Sequence, residues 1–286
     1  MARFDTVLML SMLLASNLYA AQSTITEAEG YACMGEDKSK KQTEQTALAD
    51  AKKKAIEQVS TYIKSETHVK NFELEKDLTS AYSNAAVKVI QEIEKGWYKD
   101  SSAGDCYKIK IKAEVIPDEK AIEKISKSSQ TADDPSAPLS INVWTDKKEY
   151  KTGEKIKIYI KGNKPFYARV VYKDAGGNMV QLLPNPYRND NYFNGGVVYE
   201  IPSGNDRFEL DVSPPFGKEN ITVYSSTLPV GDINLKAEGG VYQITTKAKD
   251  IGSRTRGVAL KEKGTDEGQK IPAEFSETDA VLKTEK

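Results

Sequence analysis

The stretch from Pro165 to Pro186, PFYARVVYKDAGGNMVQLLPNP, constrains this chain most. Phe166, Ala168, Val170 and Tyr172 alternate with Tyr167, Arg169, Val171 and Lys173, the two-residue period of a strand with one face on a core. Gly176 and Gly177 supply a turn, and Met179 to Leu183 runs back as a second apolar strand. Pro184 and Pro186 end it, because a residue without an N–H cannot continue a ladder. The same alternation recurs at Ile141 and Val143, Ile156 to Ile160, Val197 to Ile201, Phe208 to Val212, and Ile221 to Ser225. Short strands with Gly, Pro and Asn between them predict an all-β sandwich over 139–230. Residues 231–286 read as a C-terminal extension that could complete the sandwich, through strands at 241–244, 256–260 or 273–276. Lys261 to Lys270 reads as an exposed loop. Lys155, Lys157 and Lys161, on one strand face, read as guards of a sheet edge.

The N-terminal half has a different period. Residues 24–33 alternate weakly; then Ser39 to Gln42 has the form of a capping box. Ala47, Leu48, Ala51, Ala55, Ile56, Val59, Tyr62 and Ile63 follow at helical spacing, predicting an amphipathic helix over 40–64. Residues 66–84 read as polar and irregular. Val87 to Ile93 and Tyr107 to Val115 read as a hairpin packed on the helix, with a helix over 80–95 as the competing assignment. The predicted fold class is an α+β domain (strand, long helix, β-hairpin) at 21–117, then a linker at 118–138 containing a short helix, then the sandwich.

The first twenty residues read as an export signal. Arg3 supplies a positive start, Thr6 to Leu14 an apolar run too short to span a bilayer, and Leu18 to Ala21 small residues for cleavage after Ala20. The expected location is therefore periplasmic or outer-membrane associated, with no transmembrane segment after cleavage. In an oxidising compartment the two cysteines, Cys33 and Cys106, are expected to form a disulfide. Two free thiols are the alternative reading. Lys plus Arg (41) nearly balances Asp plus Glu (42), which removes the global electrostatic case for binding nucleic acid. With one histidine, His68, no Ser-His-Asp or Cys-His arrangement and no histidine metal cluster can be assembled. Neither cofactor nor metal is expected.

Two resemblances bear on function. Gly30-Tyr31-Ala32, Ala47 to Ala55 (ALADAKKKA), Ser80 to Asn84 and Cys106 to Val115 (CYKIKIKAEV) resemble, in that order, the N-terminal domain of the flagellar assembly protein T family and its relatives among small outer-membrane lipoproteins. That resemblance implies an exported, non-catalytic envelope component. Tyr150 with Thr152-Gly153-Glu154, Tyr172 to Asn185, Tyr199 to Pro202 and Val212 to Gly217 resemble a bacterial domain of unknown function. That module recurs on exported envelope proteins and beside kinase or caspase-like domains, and implies an accessory module.

For chemistry, the loop Asn185 to Asn194 stands out, because Tyr187, Tyr192 and Phe193 alternate with amides and Arg188. Such a loop suits stacking on sugars or gripping a protein partner. The plainer reading is a long loop pinned over a sandwich by Tyr192 and Phe193. Asp190, Asp206, Glu209 and Asp211 are the carboxylates that a histidine-free hydrolase would use, and turn or solvent-face roles explain them as well. The expected function is a structural or adaptor part of an envelope or cell-surface protein complex. A carbohydrate-binding module is the alternative, and a carboxylate hydrolase the third reading.

Overall fold

The computed structural model describes residues 21–35, 38–67, 72–126, 133–256 and 272–286. The expected signal segment, His68 and the tail segments 257–260 and 261–270 lie outside the described residues. The chain is α+β in its N-terminal part and β-rich thereafter.

The capping box forms as drawn: Ser39 N–H donates to Gln42 Oε1 at 2.8 Å and Gln42 N–H to Ser39 Oγ at 3.3 Å. It opens α1 (Lys40–Thr67), whose buried residues Thr43, Ala47, Ala51, Ala55, Val59, Ile63 and Thr67 recur every four positions. This small-residue stripe lets the helix approach β1 (Ala21–Cys33) closely. At Gly30 a Cβ would lie 2.1 Å from the Ala47 carbonyl oxygen and 2.3 Å from the Ala51 nitrogen. β2 (Ala86–Asp100) and β3 (Gly104–Ile116) form the hairpin, and the order is β1-β3-β2. Residues 72–83, read as irregular, are instead a helix, α2 (Phe72–Ser83). Leu74, Leu78, Ala81 and Tyr82 are buried at helical spacing, and the polar residues between them masked that period. α3 (Glu119–Ser126) follows.

In the second half, β4 (Ile141–Thr145), β6 (Ile158–Gly162) and β10 (Val198–Ile201) form a three-stranded sheet, ordered β10-β6-β4. It covers part of a larger sheet containing β5 (Glu149–Lys151), β7 (Phe166–Lys173), β8 (Met179–Leu183), β11 (Lys218–Ser226), β12 (Leu235–Glu238), β13 (Val241–Ile244) and β14 (Ala273–Glu285). Ile158, Ile160, Phe166, Ala168, Val170, Ile221, Val223 and Leu282 fill the space between the two sheets. Two readings are corrected here. Lys155, Lys157 and Lys161 share no edge strand: Lys161 lies on β6, the central strand of its sheet, and pairs with Asp133, while Lys155 and Lys157 precede that strand and pair with Glu209 and Glu200. Phe208 to Val212 is not a ladder strand. It is tied to residues 154–156 by Ile156 N–H donating to the Leu210 carbonyl and Val212 N–H to the Glu154 carbonyl, both at 2.9 Å, around a single Lys155–Asp211 bridge.

The largest correction concerns the linker. β14 pairs with β11 from Phe275 to Lys283 and with β1 from Ala273 to Glu277, so one sheet, β12-β13-β8-β7-β11-β14-β1-β3-β2, runs through both halves. Residues 136–139 are buried, and Asn163 Nδ2 donates to the carbonyls of Asp134, Ala137 and Pro138 at 2.9, 3.2 and 3.1 Å. Composition marked this stretch as a tether because it carries few apolar groups; its order comes from a side-chain amide distant in sequence. On the sheet face away from α1, Ile25, Val171, Tyr224, Ile233, Ile244, Ile251 and Phe275 make a separate core. It is capped by α4 (Ala248–Thr255), which the strand pattern did not anticipate.

Candidate functional site

The loop after β8 is organised by Asn185. Its Oδ1 accepts the N–H groups of Tyr187 and Arg188, both at 2.8 Å, while its Nδ2 donates to the Leu182 carbonyl at 2.6 Å. Farther on, Asp190 Oδ1 accepts the Tyr192 N–H at 3.0 Å, and Tyr192 and Phe193 form a two-residue strand, β9 (Tyr192–Phe193), on β7.

These turns separate the predicted binding residues. Phe193 is fully buried, parallel to Phe166 at 5.1 Å and edge-on to Tyr199 at 5.0 Å. Its role as a stacking platform is therefore corrected: the ring belongs to the sandwich core, since strand alternation on β9 turns it inward. Arg188 also turns in, with its Nη1 3.1 Å from Asp206 Oδ2 and its guanidinium 5.6 Å from the Phe193 ring. Tyr187 and Tyr192 stay 45 % and 43 % exposed but pack on different neighbours. Tyr192 tilts against Tyr167, whereas Tyr187 lies parallel to Phe208 at 6.5 Å. Three of the four candidate carboxylates hold structural posts: Asp190 closes its turn, Asp206 accepts from Ser203 N–H and Arg188, and Glu209 pairs with Lys155 at 2.6 Å; Asp211 is placed by its backbone, in the bridge to Lys155.

Cys33 and Cys106 are joined by a disulfide and lie directly opposite each other in the β1–β3 register. Nearby, Tyr31 is exposed, with the Lys54 ammonium 4.2 Å over its ring. Its backbone N–H donates to Asp50 Oδ2 at 3.1 Å. Burial pushes the Asp50 carboxyl up, but hydrogen bonds from Lys54 and the Tyr31 N–H, with the Lys54 charge, leave it below its ordinary value.

Tyr187 opens onto a feature that the sequence reading missed. The three-stranded sheet is too narrow to cover the inner face of the large one out to β13. Where it runs out, a half-open cleft of about 270 Å³ remains, floored by Val180, Leu182 and Val241. Tyr187 and the Phe208–Leu210 segment wall it on one side, and the Gly239–Gly240 turn on the other. Gly240 has φ +81°, and a Cβ there would lie 2.5 Å from Tyr187 Oη, so the turn can be this close only without a side chain. Arg207 and Glu209 stand at its rim. The alternation of Arg207, Glu209 and Asp211 with Phe208 and Leu210 was legible, but it read as a strand and not as a wall. A second missed feature lies on the outer face of the three-stranded sheet, where Trp144 and Tyr159, cross-strand neighbours, stack at 5.7 Å and 18°. Among the described residues no group of acidic, histidine or cysteine side chains could hold a metal ion.

The comparisons with known proteins add one match. No curated protein and no solved structure matches the chain. Residues 149–229, which supply Tyr187 and most of the cleft, are similar to the family described as Domain of unknown function (DUF4384).

Proposed function

We propose that the chain is an exported, non-catalytic component of the cell envelope that works by binding other proteins, as a structural part or adaptor. The observation that carries this reading is the way β14 joins the halves. A surface cleft between two domains is the usual place for chemistry on a small molecule, and here that place is filled. One face of the junction holds Glu274 with Tyr62 and Lys164, and the other holds an apolar core under α4. A rigid frame of this kind presents surfaces, among them the exposed Tyr31 and Tyr98 at one end and Tyr187 and Tyr192 on the sandwich. Tyrosines of this exposure suit partner recognition. The disulfide supports export, because such bonds persist in oxidising compartments. The resemblance of the N-terminal third to the flagellar assembly protein T family belongs to the same reading and rests on motif order alone.

Crosslinking in intact cells followed by mass spectrometry tests it. The expected result is recurrent crosslinks to one or a few envelope proteins, in a fraction separated from cytoplasm. Uniform soluble distribution with no recurrent partner would sink the reading.

A second reading, glycan binding, is favoured by the stacked Trp144–Tyr159 pair beside Lys157 and Glu200, an aromatic surface with polar groups around it. Glycan-array binding lost on Trp144→Ala, Tyr187→Ala or Tyr192→Ala would support it. Binding unaffected by all three, or no binding at all, would dispose of it.

A further inference from the structure

We propose that the cleft under Tyr187 receives the C-terminal residue of a partner polypeptide, with its apolar side chain on Val180, Leu182 and Val241 and its α-carboxylate on Arg207. The inference rests on the protein-binding reading above and names the partner's end group. Three observations carry it.

The first is shape. A cleft of about 270 Å³ is smaller than the roughly 300–1,000 Å³ of pockets that enclose whole drug-sized ligands. It holds one large side chain, and being half-open it lets a polypeptide chain leave. The second is surface. The floor is aliphatic, Tyr187 and Phe208 form a parallel aromatic wall, and Gly240, lacking a side chain, lets the opposite turn come up against the Tyr187 hydroxyl.

The third is charge. Two ionic side chains stand at the rim. The Glu209 carboxylate is already neutralised by Lys155 at 2.6 Å, whereas Arg207 has no ion-pair partner among the described residues. The cleft's net uncompensated charge is thus one guanidinium beside an apolar floor. That combination complements a carboxylate attached directly to an apolar group, because a guanidinium pairs with a carboxylate through two parallel hydrogen bonds. A polypeptide C terminus is such a group, and so is a free acyl carboxylate; the short, open cleft favours the former.

The test titrates the isotopically labelled full chain with N-acetyl-phenylalanine, its amide, and octanoate, following the methyl signals of Val180, Leu182 and Val241. The acid is expected to shift those signals and the amide to bind about tenfold more weakly, the worth of one charge-assisted contact. Arg207→Gln, at an exposed position, should bring acid and amide to the same affinity without changing the melting temperature. Val241→Glu should abolish binding of both. Equal binding of acid and amide to the natural chain, or absence of shifts at these methyls, overturns the proposal. Octanoate binding more tightly than N-acetyl-phenylalanine overturns it in favour of an acyl ligand. Crosslinking in cells separates this inference from the reading beneath it. Partner crosslinks retained by the Arg207→Gln chain would show that the partner docks elsewhere, overturning the cleft's role while leaving the adaptor reading intact. Acid-selective binding in a chain that crosslinks to nothing would support the cleft and sink the adaptor reading.

Discussion

The Tyr62 hydroxyl donates to Glu274 Oε1 at 3.1 Å across 212 residues of sequence, joining the long helix of the N-terminal half to the last strand of the sandwich. The same carboxylate takes the Lys164 ammonium at 2.9 Å and the Leu139 N–H, and it is almost completely buried. Burial, with the Glu274 charge beside it, pushes the Tyr62 hydroxyl far above its ordinary range, so it stays a donor throughout the working pH range. One side chain thus connects the helix, the residue that follows the stretch read as a linker, and the sandwich.

Removing that carboxylate should therefore destabilise both halves together. Glu274→Ala leaves Lys164 buried without its counter-charge, and breaking such a pair costs about 3–5 kcal/mol. Tyr62→Phe removes one hydrogen bond to a charged group and should cost about 1.5–3 kcal/mol. The two tryptophans report on the halves separately, Trp97 beside Tyr107 in the hairpin and Trp144 beside Tyr159 in the sandwich. In single-tryptophan chains, denaturant titrations should give coincident transitions that shift together in Glu274→Ala. Two separate transitions in the natural chain would contradict the continuous sheet.

Gly30 should be intolerant of even one methyl group. Its Cβ would strike helix backbone, the Ala47 oxygen at 2.1 Å and the Ala51 nitrogen at 2.3 Å, and backbone cannot rotate away. Overpacking of this kind typically costs about 1–3 kcal/mol, and backbone contacts this short place Gly30→Ala at or above the upper end. Gly35→Ala and Gly96→Ala, where nothing lies within 4 Å, are the controls and should change stability little. Thermal melts of the three variants decide it; an unchanged melt for Gly30→Ala would mean the helix lies elsewhere.

Much of this architecture was legible because it depends on neighbours in sequence. The capping box needs only Ser39 and Gln42, and the hairpin needs only alternation with Gly176 and Gly177 between. What was not legible depends on groups far apart. Nothing local to Ser136 or Ala137 foretells that Asn163 will bind their stretch of chain, or that Ala273 to Glu277 will lie between β1 and β11. The same limit explains the site. Residues 185–194 read as a loop, so nothing local separated Tyr192 from Phe193; their opposite orientations come from pairing with β7, and the burial of Phe193 from Phe166 and Tyr199. The cleft was invisible for a stronger reason: it exists because one sheet is narrower than the other, a property of no single segment.

The Cys33–Cys106 bond closes a loop across 73 positions and in the chain-entropy model contributes about 4 kcal/mol. Because β1 and β3 carry the sheet into β14, its loss should be felt beyond the hairpin. A Cys33→Ala, Cys106→Ala chain should unfold at lower denaturant, with Trp97 and Trp144 signals still coincident. A shift confined to Trp97 would show that the N-terminal half unfolds alone.

On the other face of the junction, Arg256 sits between Glu114 and Glu277, Nε 2.9 Å from Glu114 Oε1 and Nη2 3.2 Å from Glu277 Oε2, with its guanidinium 4.2 Å over the Phe275 ring. The approach to Glu114 is an ion pair whose angle does not make a hydrogen bond, which leaves Arg256 Nε without a hydrogen-bond partner; Glu114 Oε1 accepts from Ser23 Oγ at 2.7 Å, and Glu114 Oε2 has no hydrogen-bond partner among the described residues. One cation thus faces two carboxylates. Burial pushes the Glu277 carboxyl up, the Arg256 charge pulls it down, and Asp279 and Glu114 push it up again; the net direction is upward. A carboxyl held above its unfolded value favours the folded state when protonated. Its stabilising contribution is present below the ordinary carboxylate range and is lost as pH rises through the raised value. Glu277→Gln, an uncharged stand-in for the protonated form that keeps an oxygen for Arg256, should therefore equal or exceed the natural chain in stability at pH 8. The advantage should shrink as the pH falls and vanish near pH 4. Melting temperatures of both chains between these limits check the sign: an advantage that grows toward acid would mean that Arg256 holds Glu277 ionised.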